Sequence, residues 1–142
     1  MKLILASGSP RRKDLLQTIG IKIAAIRPSS IEEQRQKNEP PLTYCTRLAR
    51  EKGYRVAEHV VLSADTIVCL EDAVFEKPKD DADAFRILSQ LSGKWHEVIS
   101  AWSLCSSTHQ ISDYSVSRVL FRPLSEIEIY AYIATGEGRD KA

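Results

Sequence analysis

The feature that most constrains this chain is a short apolar run that passes directly into Ser-Gly-Ser-Pro-Arg-Arg. Leu3-Ile4-Leu5-Ala6 has the composition of a short buried strand. Ser9 is a suitable helix N-cap, and Pro10 suits the first helical turn, where its missing N–H costs nothing. Leu15, Leu16 and Ile19 then predict an apolar helix face, with Gly20 as the stop. A strand, a tight small-residue turn and a helix N-terminus therefore open the molecule. Such a terminus leaves backbone N–H groups unpaired at the positive end of the helix dipole, which suits an anion and above all a phosphate. Arg11 or Arg12 can fork onto phosphate oxygens. The stretch lacks the Gly-Lys-Ser/Thr ending of a Walker A loop. An ordinary strand–helix turn with two solvated arginines stays open as the alternative.

With 142 residues the chain suits one domain, spanning 1–142, and can bury a sizeable core. Its net charge of +1 gives no electrostatic case for a nucleic-acid or membrane partner, so any anion must be held by local geometry. No apolar run approaches membrane-spanning length, and the N-terminus leads straight into the first strand, so no signal peptide is expected. Cys45, Cys69 and Cys105 are odd in number and form no CxxC pair, which argues for buried structural thiols in a reducing cytoplasm.

Further along, Ile21 to Ile26 predicts a second strand, and Ser29 to Pro41 a polar loop carrying Glu32 and Glu33. Leu42, Cys45, Leu48 and Ala49 predict a helix from Pro41 to about Tyr54, from which Arg47, Arg50 and Lys52 project. Most of these cations are expected to be solvated, although a lysine at a helix end can reach a neighbouring cleft. Asp65 interrupts the apolar run from His59 to Leu70. A carboxylate there is costly unless paired, hydrogen-bonded or metal-bound; the structural alternative is a strand-end turn with Ser63 and Thr66. Ala73 to Glu76 predicts a returning hairpin strand that would turn Lys77 back toward Asp65. A helix is expected over Asp80 to Leu91, then two long strands over Lys94 to Ser106 and Gln110 to Phe121. His96 reads as a packed strand residue rather than a ligand. A capping box at Ser125–Glu128 starts a last helix with Ile127, Tyr130, Ala131 and Ala134 on its inner face. The fold class is mixed α/β (α+β). Carboxylates at Glu33 and Asp65 with cations at Lys52, Lys77 and Lys141, and no Ser-His-Asp order, suggest metal-assisted attack of water on a phosphate.

These motifs resemble the Maf family of nucleoside triphosphate pyrophosphatases. The matching stretches are Leu3 to Leu16, Ile31 to Gln36, Arg47 to Lys52, Ser63 to Val68, Glu76 to Asp80, Leu91 to Val98 and the final Asp-Lys-Ala. Ile31 to Gln36 is most similar to the branch acting on dTTP and UTP. The resemblance implies a bent mixed sheet with flanking helices in two lobes around a cleft, like inosine triphosphate pyrophosphatases. It implies hydrolysis of dTTP, UTP or modified nucleotides to the monophosphate and pyrophosphate, with a divalent cation such as Mg or Mn. By the same resemblance Asp65 is the proton acceptor, Glu33 and Asp65 are metal partners, and Ser7, Arg12, Lys52, Thr66 and Lys77 bind substrate. The family usually has Gly where this chain has Ser63, and continues beyond Asp-Lys-Ala into a further Gly-rich segment. A shortened C-terminus is thus expected, with exposed apolar surface and a possible homodimer. An alternative is a nucleotide-binding regulator of septum formation with little or no catalysis.

Overall fold

A computed structural model describes residues 2–139. Asp140 and Lys141, read above as a terminal polar pair, lie outside the described residues. The elements run β1 (Lys2–Leu5), α1 (Pro10–Thr18), β2 (Ile23–Ile26), α2 (Pro41–Glu51), β3 (His59–Leu70), β4 (Ala73–Phe75), α3 (Asp81–Leu91), β5 (Trp95–Cys105), β6 (Gln110–Leu120) and α4 (Glu126–Thr135). The fold is mixed α/β, as expected. The strands form one mixed sheet in the order β2-β1-β3-β5-β6, with β4 added to β3. β1 lies parallel to both β2 and β3, pairing Leu3 with Val60 and Leu5 with Leu62, whereas β4 runs antiparallel to β3. Parallel neighbours need crossover connections, which α1 and the 27–58 segment with α2 supply.

The chain forms two compact units: residues 1–65 with 100–115, and residues 66–99 with 116–142. In the first, Ile4, Ala6, Val61 and Cys105 form a core cluster, and Tyr44, Cys45, Leu48 and Ala49 bury one face of α2. In the second, Val68, Phe75 and Leu91 form the cluster, with Ile87, Val98 and Phe121 packed against it. That unit also carries an open pocket of about 430 Å3, lined among others by Val68, Ile87, Leu91, His96 and Phe121. His96 is buried edge-on against Phe121, at 4.6 Å between ring centres, and is a packed residue. All three cysteines are buried, and none forms a disulfide.

Local signals behave as their chemistry requires. The Ser9 hydroxyl accepts from Arg12 N, and Pro10 opens α1. Asp80 caps α3, the Ser125–Glu128 capping box opens α4, and Gly136 closes α4 at φ 73°, where a side chain would be strained. Two helix faces depart from expectation. Leu15 of α1 and Ile19 at its C-cap are 66% and 71% exposed and the helix has no buried residue; α1 is set by its N-terminal cap rather than by an apolar stripe. In α4 the buried residue is Ile129, while Ile127 is 81% exposed and Tyr130 stacks on Phe85 at 4.8 Å. The inward line of α4 follows Ile129 and Ile133, four residues apart, and Ile133 reaches the pocket.

Leu48→Ala is expected to lower unfolding stability by about 2–5 kcal/mol, because the site is fully buried. Ile127→Ala should change it by no more than about 0.5 kcal/mol. Urea unfolding of both variants checks the contrast, and equal losses would contradict the burial of these two positions.

Candidate active site

β3 sets the central position. It is one continuous strand whose Val61, Ser63, Asp65 and Ile67 are buried in alternation, before a fully buried stretch from Ile67 to Cys69. Asp65 therefore points to the covered face, and the strand-end turn considered for it does not form. Ser63, read as a partner in that turn, instead donates its hydroxyl to Ala49 O of α2 at 2.7 Å. Cys45 of α2 donates to Asp65 O at 3.4 Å. Both bonds hold α2 against this face, and they carry Lys52, the residue that ends the helix, to the Asp65 side chain.

Lys52 Nζ lies 2.8 Å from Asp65 Oδ1 and 2.6 Å from Glu33 Oε1. The lysine and aspartate side chains are only 15% and 9% exposed, so little water screens them. The other oxygen, Asp65 Oδ2, is the one buried side-chain nitrogen or oxygen without a hydrogen-bond partner among the described residues. Burial pushes the Asp65 carboxyl above the usual aspartate range, and the bond and charge of Lys52 only partly offset it; nearby Glu33 adds to the rise. Burial also opposes the Lys52 charge, but Asp65 and Glu33 outweigh it and hold the ammonium above its ordinary pKa.

The opening turn joins the same cluster. Arg12 Nη1 donates to Ser7 Oγ at 2.8 Å, and Ser7 also accepts from Ser9 N at 3.2 Å. Arg12 is half-buried, which lowers its pKa, while the charges of Asp65 and Glu33 raise it. Glu33, Lys52 and Asp65 thus meet directly within the first unit, and Arg12, tied to Ser7, is coupled to Asp65 and Glu33 through their charges. Thr66 follows Asp65 on β3 and is half-buried; Lys77 lies two residues beyond β4 and is exposed. None of the predicted site residues lines the pocket of the second unit.

Two residues escaped the sequence reading. Arg47, expected to be solvated, donates Nε to Glu39 Oε2 at 2.8 Å and Nη2 to Glu39 Oε1 at 2.9 Å. Glu39 is 7% exposed, and Arg47 holds its carboxyl down at about 2. The available signal was a glutamate directly before Pro40-Pro41, at the start of a helix bearing an arginine two turns on.

A divalent cation fits the donor set. Asp65 Oδ2 and Glu33 are hard oxygen donors, and magnesium is usually held by one or two carboxylates completed by substrate phosphates. Among the described residues no group of three or more His, Cys, Asp or Glu is arranged to hold a metal ion. Among those residues, no helix is long and apolar enough to cross a membrane.

A family model described as Maf-like protein matches residues 2–142. The chain belongs to the Maf-like family. It is 44% identical to the dTTP/UTP pyrophosphatase of Alcanivorax borkumensis, covering 100% of this chain and 76% of that protein. Identity to the dTTP/UTP pyrophosphatase of Aquifex aeolicus is 42%, again over 100% and 76%. A solved HAM1 protein from Coxiella burnetii shares the fold with a TM-score of 0.55 at 14% identity, covering 84% of this Maf-like chain and 72% of that one.

The Asp65 carboxyl should titrate above the ordinary aspartate value, and Lys52→Met should raise it further by removing the interactions that lower it. A group that binds its proton more tightly folded than unfolded favours the folded state at low pH, so its contribution declines as pH rises from the ordinary value through the raised one. Carbon-detected NMR titration checks both; a fall in the Asp65 pKa in Lys52→Met would contradict the assignment.

Proposed function

We propose that this Maf-like chain hydrolyses nucleoside triphosphates, dTTP and UTP or modified nucleotides, adding water and releasing the monophosphate and pyrophosphate. The observation that carries the reading is Asp65: a buried carboxylate with one oxygen held by Lys52 and the other unpartnered, beside the guanidinium of Arg12. The names of the two relatives point to the same reaction.

In this reading Asp65 accepts the proton of the attacking water. Its burial makes it a stronger base than a solvated aspartate, and Lys52 fixes its orientation. Arg12 and Lys52 bind phosphate oxygens and neutralise charge on the departing pyrophosphate, with Ser7 holding the Arg12 guanidinium in place. Asp65 and Glu33 would hold a divalent cation, magnesium or manganese, which when bound supplies charge neutralisation at the phosphates. Thr66 and Lys77 are proposed as further substrate contacts on the family resemblance. Three buried thiols fit a reducing compartment, and we assign the activity to the cytoplasm.

A panel of triphosphates with magnesium or manganese tests the reading. Pyrophosphate release is expected with dTTP and UTP ahead of the purine triphosphates. Arg12→Ala should weaken triphosphate binding by about 1.5–3 kcal/mol, the range for hydrogen bonds to charged groups. Absence of pyrophosphate from every nucleotide overturns the activity, and unchanged affinity removes Arg12 from the site.

A further inference from the structure

Glu33 sits in the segment 27–40, which contains no helix or strand. Such a segment does not place a carboxylate against a particular ammonium by itself. The ties that do so come from α2. On one side of Glu33, the Ser29 hydroxyl donates to Lys52 O. On the other side, Arg47 Nη2 donates to Gln34 O, the residue next to Glu33, at 2.9 Å.

Arg47 itself is held on several sides. Its Nε and Nη2 fork onto the buried Glu39 carboxylate, and Nη1 reaches Glu51 Oε2 at 3.1 Å, one turn further along α2. Its guanidinium carbon also lies 5.5 Å from the Tyr44 ring centre. Glu39 is fastened to the loop as well: Oε1 accepts from Gln36 N at 3.1 Å, and its carbonyl accepts from Arg35 Nε at 2.9 Å. Burying a charge pair costs desolvation, which favourable geometry offsets only partly, so such a pair is weak evidence for stability. Here it fixes a polar loop from both ends of the Glu39–Arg47 contact.

We infer that the Glu39–Arg47 pair is a positioning clamp that fixes the Glu33 loop to α2 and so sets where the Glu33 carboxylate meets the Lys52 ammonium; this rests on the proposed hydrolase reading. Arg47 bonds to Glu39, Glu51 and Gln34 rather than to Lys52 or Asp65, and it acts through Glu33. A lysine at position 47 would keep the charge but could not fork onto both oxygens of Glu39 while bonding Gln34 O.

Arg47→Met, Arg47→Lys, Glu33→Gln and the double variant Glu33→Gln/Arg47→Met test the clamp. In Arg47→Met, amide hydrogen exchange over residues 31–39 should accelerate about tenfold or more, with the α2 amides of residues 45–49 unchanged. Pyrophosphate release should fall about tenfold in kcat, and Arg47→Lys should recover part of it. In the Glu33→Gln background, Arg47→Met should cost less than about twofold more, since both changes remove one function. Wild-type exchange in the loop, or full multiplication of the two losses, overturns the clamp. Should Arg47→Met not fold, Glu39→Gln with the same exchange measurement decides. Should the wild-type chain release no pyrophosphate, the hydrolase reading fails, while the exchange result still decides whether Arg47 holds the Glu33 loop.

Discussion

One ammonium group shared by two carboxylates is the interaction on which the described site depends. Lys52 Nζ stands within 2.8 Å of both Asp65 and Glu33, and each of those residues comes from a different kind of element. Asp65 is fixed by a strand, Glu33 by a loop, and Lys52 by the end of a helix. The arrangement holds only if α2 is seated correctly on β3. Ser63 and Cys45 provide that seating through bonds that cross between the two elements at Ala49 O and Asp65 O.

The consequence is an electrostatic imbalance rather than a neutralised pair. A single ammonium cannot satisfy four carboxylate oxygens, and Asp65 Oδ2 is left buried without a donor. That costs folding free energy, since a buried polar atom forgoes its hydrogen bonds to water. Sites that retain such a cost are frequently functional. The demand is for a cation or a proton, and both suit phosphate chemistry. Arg12, half-buried and tied to Ser7, adds fixed positive charge beside the same carboxylates.

Much of this was legible in the sequence because it is written in local chemistry. Ser9-Pro10, Asp80, Ser125–Glu128 and Gly136 announce helix ends through backbone geometry that needs no tertiary context. Asp65 stood out because a charge in an apolar run has few inexpensive explanations. The inner face of α4 was misjudged because its apolar residues surround the helix: Ile127, Ile129, Tyr130 and Ile133 offer several stripes, and packing chooses among them. The apolar side of α1 failed for the opposite reason, since nothing in nine residues states whether a neighbour will cover it. Arg47 and Glu39 were missed because a surface-type residue becomes buried only through a partner eight positions away. Thr66 and Lys77 came from the family resemblance more than from their own surroundings.

The proposed hydrolysis depends on Asp65 taking a proton from water. The most direct measurement compares wild type with Asp65→Asn, a change that keeps shape and removes the acceptor. Pyrophosphate release from dTTP should fall by about 10²–10⁴-fold, the usual worth of general base catalysis, with the fold intact by circular dichroism. A folded Asp65→Asn variant that turns over at the wild-type rate would contradict it.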